Sequence, residues 1–393
     1  MKRNLVNVDE TYKKTRRTEE ENRSVYLGNM PSDIDYQDVF NTLQHGAIES
    51  IQLDRKKGLV FIDFCDAKEA QEFCTLGQNT QLYVRGCPVY CGMQKPKPLN
   101  FAKRMAIQSG ASRCVYIGNC DEYMTEEFFE KEMKEYGNID CISVRSQKKL
   151  AFIHFSSIEE AANAIDDMSK KAEWLGKRLN FGNDRSSKAK KESNRTLYIG
   201  NIPSDLQISD LCNTLRGGML YNIKQIEEKQ CFFVTFVDPD AALAFYNLAT
   251  YQGVVLKSRR LKVGWGKAMN LPAQAGISLL KGATRNIYLG SVTDDLTTDE
   301  LHRDFSKFGE IEYVNILSDR NIAFVNFTNL QFAVDALDAM KEHPLYSRFS
   351  LSYGKDRCAS MTPEEVMQPV IKMFTQYNQM YDPQTLQKIY SSQ

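Results

Sequence analysis

Residues 115–119 read VYIGN: a tyrosine between two apolar residues, closed by glycine and asparagine. Close variants stand at 25–29 (VYLGN), 197–201 (LYIGN) and 287–291 (IYLGS). The tyrosines, Tyr26, Tyr116, Tyr198 and Tyr288, lie 90, 82 and 90 residues apart. A second apolar phrase follows each: GLVFIDF from 58, KLAFIHF from 149, QCFFVTF from 230 and NIAFVNF from 321. From each tyrosine to the central phenylalanine (Phe61, Phe152, Phe233, Phe324) is 35 or 36 residues. A fixed internal period decides the domain count before length does, so the chain is read as four units.

The units pair. Unit one to unit three is 172 residues, and so is unit two to unit four. Units one and three share NTL-x-x-G at Asn41–Gly46 and Asn213–Gly218; units two and four have aromatic-Gly-x-Ile at Tyr136–Ile139 and Phe308–Ile311. A two-unit block, duplicated whole, accounts for both matches.

Within unit two, VYIGN predicts a strand. TEEFFEKEMKEYG predicts a helix opened by Thr125 and stopped at Gly137. DCISVRS and KLAFIHF predict two further strands. SSIEEAANAIDDMSK predicts an amphipathic helix with Ser157 and Glu160 as a capping box, and RLNFG closes the unit. The order strand-helix-strand-strand-helix-strand is the split βαβ, ferredoxin-like arrangement of the α+β class. Two helices cover one face of a four-stranded antiparallel sheet, and the other face is left open.

Strand side chains alternate between faces. Ala151, Ile153 and Phe155 share the helix side with Val115 and Ile117, while Tyr116 and Phe152 stand on the open side. A core needs one apolar face of such a sheet. An aromatic pair on the uncovered face therefore calls for a partner.

These two strands resemble the RNP2 and RNP1 strands of the RNA recognition motif, the latter of the form K/R-G-F/Y-G/A-F-V-x-F/Y. The resemblance covers 24–94, 114–185, 196–267 and 286–357. It implies four tandem domains whose Tyr26, Phe61, Tyr116, Phe152, Tyr198, Phe233, Tyr288 and Phe324 rings stack on bases of single-stranded RNA. It places Lys57, Lys148, Lys229 and Arg320 against phosphate or sugar. Two departures stand out. RNP1 position three is Leu59, Leu150, Cys231 and Ile322, never aromatic; and the asparagine after the RNP2 glycine is Ser291 in unit four, which ranks that unit weakest for RNA. Phrases such as GWGKA at 264–268 also resemble the fungal four-domain negative regulators of differentiation. That implies binding of particular messenger RNAs and a post-transcriptional role in the cytoplasm, with nuclear presence allowed. Tyr90 is expected at the final-strand position of Asn180, Gly264 and Ser352, as a third ring in unit one. His154 is expected on the open face, in contact with RNA. Trp265, Phe181 and Tyr353 are expected on the core side.

The formal net charge is zero, but it is unevenly spread. Residues 24–94 carry 5 basic and 9 acidic groups, whereas 95–113 carries 5 basic and none acidic. Lys95, Lys97, Lys103 and Arg104 are thus candidate phosphate contacts beyond the sheets. Connectors 99–110 and 271–282 have helical periodicity and end in glycine, and each is expected to dock within its own pair. Connector 186–195 is polar and unpatterned, a loose tether between pairs. The 1–23 segment reads as a solvated charged tail, and 358–393 as a helical tail offering a protein contact.

No nucleophile motif, P-loop or zinc spacing accompanies the scattered His45, His154, His302 and His343. Neither catalysis, cofactor, metal, small-molecule substrate nor membrane attachment is expected. The rival class is a protein-interaction scaffold, with unit four the first candidate.

Overall fold

Each tyrosine phrase becomes an inner strand of its own antiparallel sheet. The computed structural model describes residues 22–43, 46–80, 82–184, 194–203, 205–251, 253–293 and 295–359. The two chain ends, His45 and most of connector 186–195 lie outside them.

In the first module, β1 (Ser24–Gly28), α1 (Tyr36–Thr42), β2 (Ile48–Asp54), β3 (Leu59–Phe64) and α2 (Ala67–Asn79) precede a short β4 (Leu82–Val84) and β5 (Cys87–Met93). Its strand order is β2-β3-β1-β5-β4. Helix α3 (Phe101–Ser109) follows. The second module comprises β6 (Cys114–Gly118), α4 (Glu126–Met133), β7 (Ile139–Arg145), β8 (Leu150–Phe155), α5 (Ile158–Met168) and β9 (Arg178–Phe181), ordered β7-β8-β6-β9. The third has β10 (Thr196–Gly200), α6 (Ile208–Thr214), β11 (Leu220–Ile226), β12 (Cys231–Phe236) and α7 (Pro239–Tyr251). A separate hairpin of β13 (Val255–Leu256) and β14 (Arg259–Arg260) then leads to β15 (Lys262–Trp265), giving the order β11-β12-β10-β15. After α8 (Ala273–Leu280), the fourth module has β16 (Asn286–Gly290), α9 (Thr298–Phe305), β17 (Ile311–Leu317), β18 (Ile322–Phe327), α10 (Leu330–Lys341) and β19 (Ser350–Tyr353), ordered β17-β18-β16-β19.

Alternation decides what is buried. Val115, Ile117, Ala151, Ile153 and Phe155 are sealed beneath Phe129 and Met133 of α4 and Ala161 and Ile165 of α5. Each large apolar side chain so buried contributes on the order of 1.5–3 kcal/mol. The Thr125 side chain accepts from the Phe128 amide at the start of α4, and Gly137 ends the turn behind it at φ 155°. Ser157 caps α5 through the Glu160 amide. The Glu160 carboxylate does not complete the expected box. It accepts instead from the Asn138 amide and the Ser156 hydroxyl, tying the helix to the loop before β7.

The described chain forms two compact units. The first holds modules one and two, the second modules three and four. Within the first, the Ile51 amide donates to the Ser156 carbonyl at 2.9 Å; within the second, Ile223 donates to Thr328 at 2.9 Å. Isolated bridges Ser50–Ser157 and Asn222–Asn329 flank these bonds. Every one of these residues in the second unit is its first-unit counterpart moved by 172 positions.

One docking expectation is overturned. Residues 269–283 belong to the first unit, not to the pair whose modules they connect. Helix α8 packs on α3, α5 and β9, and its Ala273 and Ile277 join the second module's core. Gly276 makes the approach possible: a Cβ there would stand 3.1 Å from the Phe181 ring and 3.2 Å from Ser109 Oγ. Lys281 closes the contact on Asp166 at 2.7 Å.

Candidate nucleic-acid interface

The rings meet across strands. Tyr26 lies directly opposite Phe61, Tyr116 opposite Phe152, Tyr198 opposite Phe233 and Tyr288 opposite Phe324. In the last three pairs the ring centres are 5.6, 5.8 and 5.7 Å apart. All eight residues are half-buried, while their strand neighbours on the helix side are fully buried. The rings thus rest on the sheet with surface still turned to solvent.

The glycine after the tyrosine follows from this pose. A Cβ at Gly118, Gly200 or Gly290 would lie 2.6, 2.3 or 2.8 Å from the hydroxyl oxygen of Tyr116, Tyr198 or Tyr288. Any side chain there would lift the ring. Tyr26 leans the other way, over β5, where a Cβ at Gly92 would meet its ring at 2.7 Å.

The next residue is also set by backbone. Asn29, Asn119, Asn201 and Ser291 all have φ between 58° and 65°, a region asparagine tolerates better than most residues. The three asparagine side chains donate to the carbonyls of Pro88, Gly176 and Arg260 at 2.8, 3.0 and 2.9 Å. The asparagine is therefore a brace between a loop and the last strand. Its absence at Ser291 is an argument about stability, and it removes the ground for ranking unit four last.

Lys57, Lys148, Lys229 and Arg320 are exposed at the turn that enters the ring-bearing strand. Lys57 pairs with Asp54 at 3.1 Å and Arg320 with Asp319 at 3.7 Å. Such exposed pairs cost little to exchange for another anion. Arg145, not singled out from the sequence, holds its guanidinium 5.5 Å from the centre of the Phe152 ring, adding a cation beside the second pair.

Four expectations need correction. Tyr90 is not the residue facing the first tyrosine: Tyr26 faces Gly92, and Tyr90 faces Gly28. Its matches are Arg178, Lys262 and Ser350, two residues earlier than expected, though still on the open side. It is 69% exposed. His154 does lie on the open side, opposite Cys114, but it is only 7% exposed, with its Nε2 3.7 Å from Cys114 Sγ, so little of it is left to meet RNA. Burial also pushes the Cys114 thiol up to about 12.

The connector cations are the third case. Lys103 sits between Glu49 and Glu159, 2.8 Å from each. Its burial works against the charge, yet the Glu159 and Glu49 carboxylates outweigh that and raise its pKa. Lys97 reaches Asp63 on the open face at 2.7 Å. Burial favours protonating Asp63, but hydrogen bonds from Lys97 and Ser24 win and hold its carboxyl below the usual range. The carboxylate surplus of the modules thus takes up part of the connector's charge. Lys95 and Arg104 remain exposed. Trp265 is the fourth: it lies on the helix side, stacked on Tyr246 at 4.7 Å, but is 39% exposed and no core residue. Phe181 and Tyr353 do pack against their modules' cores.

Not foreseen from the sequence is a buried arginine three residues before each tyrosine: Arg23, Arg113, Arg195 and Arg285. Each donates to a carbonyl at the end of the ring-bearing strand or just after it: Phe64, Phe155, Val237 and Phe327, at 2.8, 2.8, 2.6 and 2.7 Å. Arg113 also binds Asp140 and Asp184, and Arg285 binds Glu312 and Asp356. The tyrosine period carries the signal, since the arginines recur at the same intervals. One of them, Arg113, is among the five basic residues counted in 95–113. All four are buried anchors for the two central strands.

Residues 115–180 and 287–350 match the family model of the RNA recognition motif. The chain is 29% identical to the RNA-binding protein MRN1 of Saccharomyces cerevisiae, over 86% of this chain and 66% of that protein. It is 31% identical to the meiotically up-regulated gene 24 protein of Schizosaccharomyces pombe, over 86% of this chain and 56% of that one. It is also 31% identical to the RNA-binding protein NAB6 of Saccharomyces cerevisiae, over 43% of this chain and 18% of that one. The chain therefore spans less than two thirds of the length of these fungal relatives.

Proposed function

We infer that this chain, which carries RNA recognition motifs at 115–180 and 287–350, binds single-stranded RNA through all four of its modules. Modules one and three share the strand order and the paired rings of the two matched segments. In this reading the chain is a tandem of four such domains, arranged as two pairs. One observation carries it: a half-buried tyrosine opposite a half-buried phenylalanine on the helix-free face of every sheet. Rings so placed offer π faces to unstacked bases, each stack contributing on the order of 1–3 kcal/mol. Lys57, Lys148, Lys229 and Arg320, all exposed, are the side chains we assign to the RNA backbone phosphates.

The two-module units add reach. Two pairs on one chain gain affinity through effective concentration, on the order of 10²–10⁴-fold over one pair. Two of the relatives are named as RNA-binding proteins, which supports RNA as the ligand; that it is messenger RNA is part of the proposal. The role we assign is post-transcriptional control of particular transcripts in the cytoplasm, by binding and not by catalysis.

The test is crosslinking of the protein to RNA in cells, with sequencing of bound sites, for the parent and for a chain with Tyr26, Tyr116, Tyr198 and Tyr288 all changed to alanine. Enrichment of messenger RNA by the parent and its loss in the variant is the expected result. Equal recovery by both, in a variant that stays folded, would overturn the reading.

A further inference from the structure

Module one differs from the others on the very face argued to hold RNA. Its sheet has a fifth strand, β4, paired with β5. Tyr83 of β4 faces Pro88, and Pro88, Tyr90 and Gly92 alternate onto the same side of β5. Gly92 faces Tyr26, so that side is the open one. The opposite side confirms the parity: Val84 and Val89 are each 1% exposed. Tyr83 is 58% and Tyr90 69% exposed, against half-buried Tyr26 and Phe61.

The four rings form a staircase. Phe61 is directly opposite Tyr26. Tyr90 stands one strand further and two residues along from Tyr26's partner, and Tyr83 stands in the same relation to Tyr90. Diagonal cross-strand neighbours of this kind are about 7–8 Å apart, within reach of aromatic side chains. That step is too wide for one base to cover two rings and suits consecutive splayed bases. Tyr26 itself leans toward β5 over Gly92, unlike the other three tyrosines, which lie over their own strand's glycine. Exposed Lys57 supplies positive charge at the end of the sheet toward which the steps run, and exposed Lys95 lies at the other end. In module three the matching hairpin, β13 and β14, forms a sheet of its own.

We propose that Tyr83 and Tyr90 extend the first module's base-stacking surface onto its fifth strand, so that this module holds a longer stretch of single-stranded RNA than the other three. The occupant is RNA because the steps continue the Phe61–Tyr26 pair without a break, and the proposal rests on the RNA-binding reading of that pair.

The experiment uses the full chain and a randomised 20-nucleotide single-stranded RNA. Ultraviolet crosslinking of the unaltered protein, followed by mass spectrometry, is expected to give adducts between residues 82 and 92 as well as on β1 and β3. In a chain with Tyr116, Tyr198 and Tyr288 changed to alanine, Tyr83→Ala should weaken binding of the same pool roughly five- to hundredfold, and Tyr83→Phe should restore it. Adducts confined to β1 and β3, with Tyr83→Ala binding as its parent does, would end the surface at Tyr26 and overturn the proposal while leaving the RNA reading intact. Equal losses for Tyr83→Ala and Tyr83→Phe would mean that the hydroxyl, not stacking, matters, and would also overturn it. Loss of a protein partner with RNA binding unchanged would make the face a peptide site. If Tyr26→Ala is silent too and β1 takes no adduct, the RNA reading of this module itself fails.

Discussion

The guanidinium of Arg113 lies over the ring of Phe40, 3.5 Å from its centre. Arg113 opens the second module and Phe40 belongs to α1 of the first, so one buried cation joins two modules of a unit. The same cation neutralises Asp140 and Asp184 and holds the Phe155 carbonyl. Arg113→Ala would take away the guanidinium that two buried carboxylates share. The expected cost is about 3–5 kcal/mol, read as a drop in the denaturation midpoint. Replacing Arg113, Asp140 and Asp184 together with apolar residues should recover most of it. A triple variant as unstable as the single one would contradict this account.

The ring pairs and their neighbour His154 should separate in assay. Tyr116→Ala is expected to lose about 1–3 kcal/mol of affinity for single-stranded RNA. His154→Ala should leave affinity near the parent's and lower stability by about 1–3 kcal/mol, since the imidazole is buried beside Cys114. Fluorescence anisotropy with labelled RNA and a melting curve distinguish them. An affinity loss for His154→Ala as large as that for Tyr116→Ala would restore it to the interface.

Salt dependence should divide the connector. On single strands each phosphate contact adds about 0.7 to the slope of log K against log salt. Changing Lys95 and Arg104 to methionine should flatten that slope by about 1.4 if both touch phosphate. Lys103→Met should not change it, because Glu49 and Glu159 hold that ammonium. A flatter slope for Lys103→Met would show that RNA displaces the carboxylates.

Module four invites a repair. Ser291 has φ 60°, and the carbonyl matching Pro88, Gly176 and Arg260 is, by register, that of Arg348. Ser291→Asn should fit the left-handed backbone and restore the missing brace, adding about 0.5–2 kcal/mol. RNA affinity should be unaffected. No gain in the thermal midpoint would mean that the brace does little in the other modules too.

Acid should loosen α8. Burial alone would favour the neutral form of Asp166, but hydrogen bonds from Lys281 and Lys170 outweigh it and lower its pKa. A carboxyl lowered in the folded state stabilises above its unfolded pKa, about 3.9, and that contribution is lost as pH falls through the folded value. Hydrogen-exchange protection of α8 should therefore hold from neutrality to about pH 4 and decline below it. In Lys281→Met this part of the decline should shrink. An identical acid profile in that variant would remove the ion pair from the account.

The tyrosine period and the alternation of KLAFIHF were enough to place four sheets, their helices and their open faces, because both are local. What escaped depends on partners distant in sequence. The 172-residue period puts the counterpart of Gly264 at Gly92, so the register of Tyr90 was legible, but nothing in PVYCG reports the extra strand. Lys103 reads as solvated until Glu49 and Glu159 come from either side. Helix α8 is apolar nearly all round, so its pattern announces burial without naming the neighbour. The arginines before the tyrosines were legible, but in a basic connector their charge suggested solvent.

That α8 completes the first unit has a temporal side. A ribosome finishes residue 193 some 90 residues before it reaches 283. At 5–20 residues per second this is an interval of about 5–20 s. Throughout it the nascent first half displays the bare apolar groove on α3, α5 and β9, a natural target for a chaperone until its late-arriving closing piece emerges.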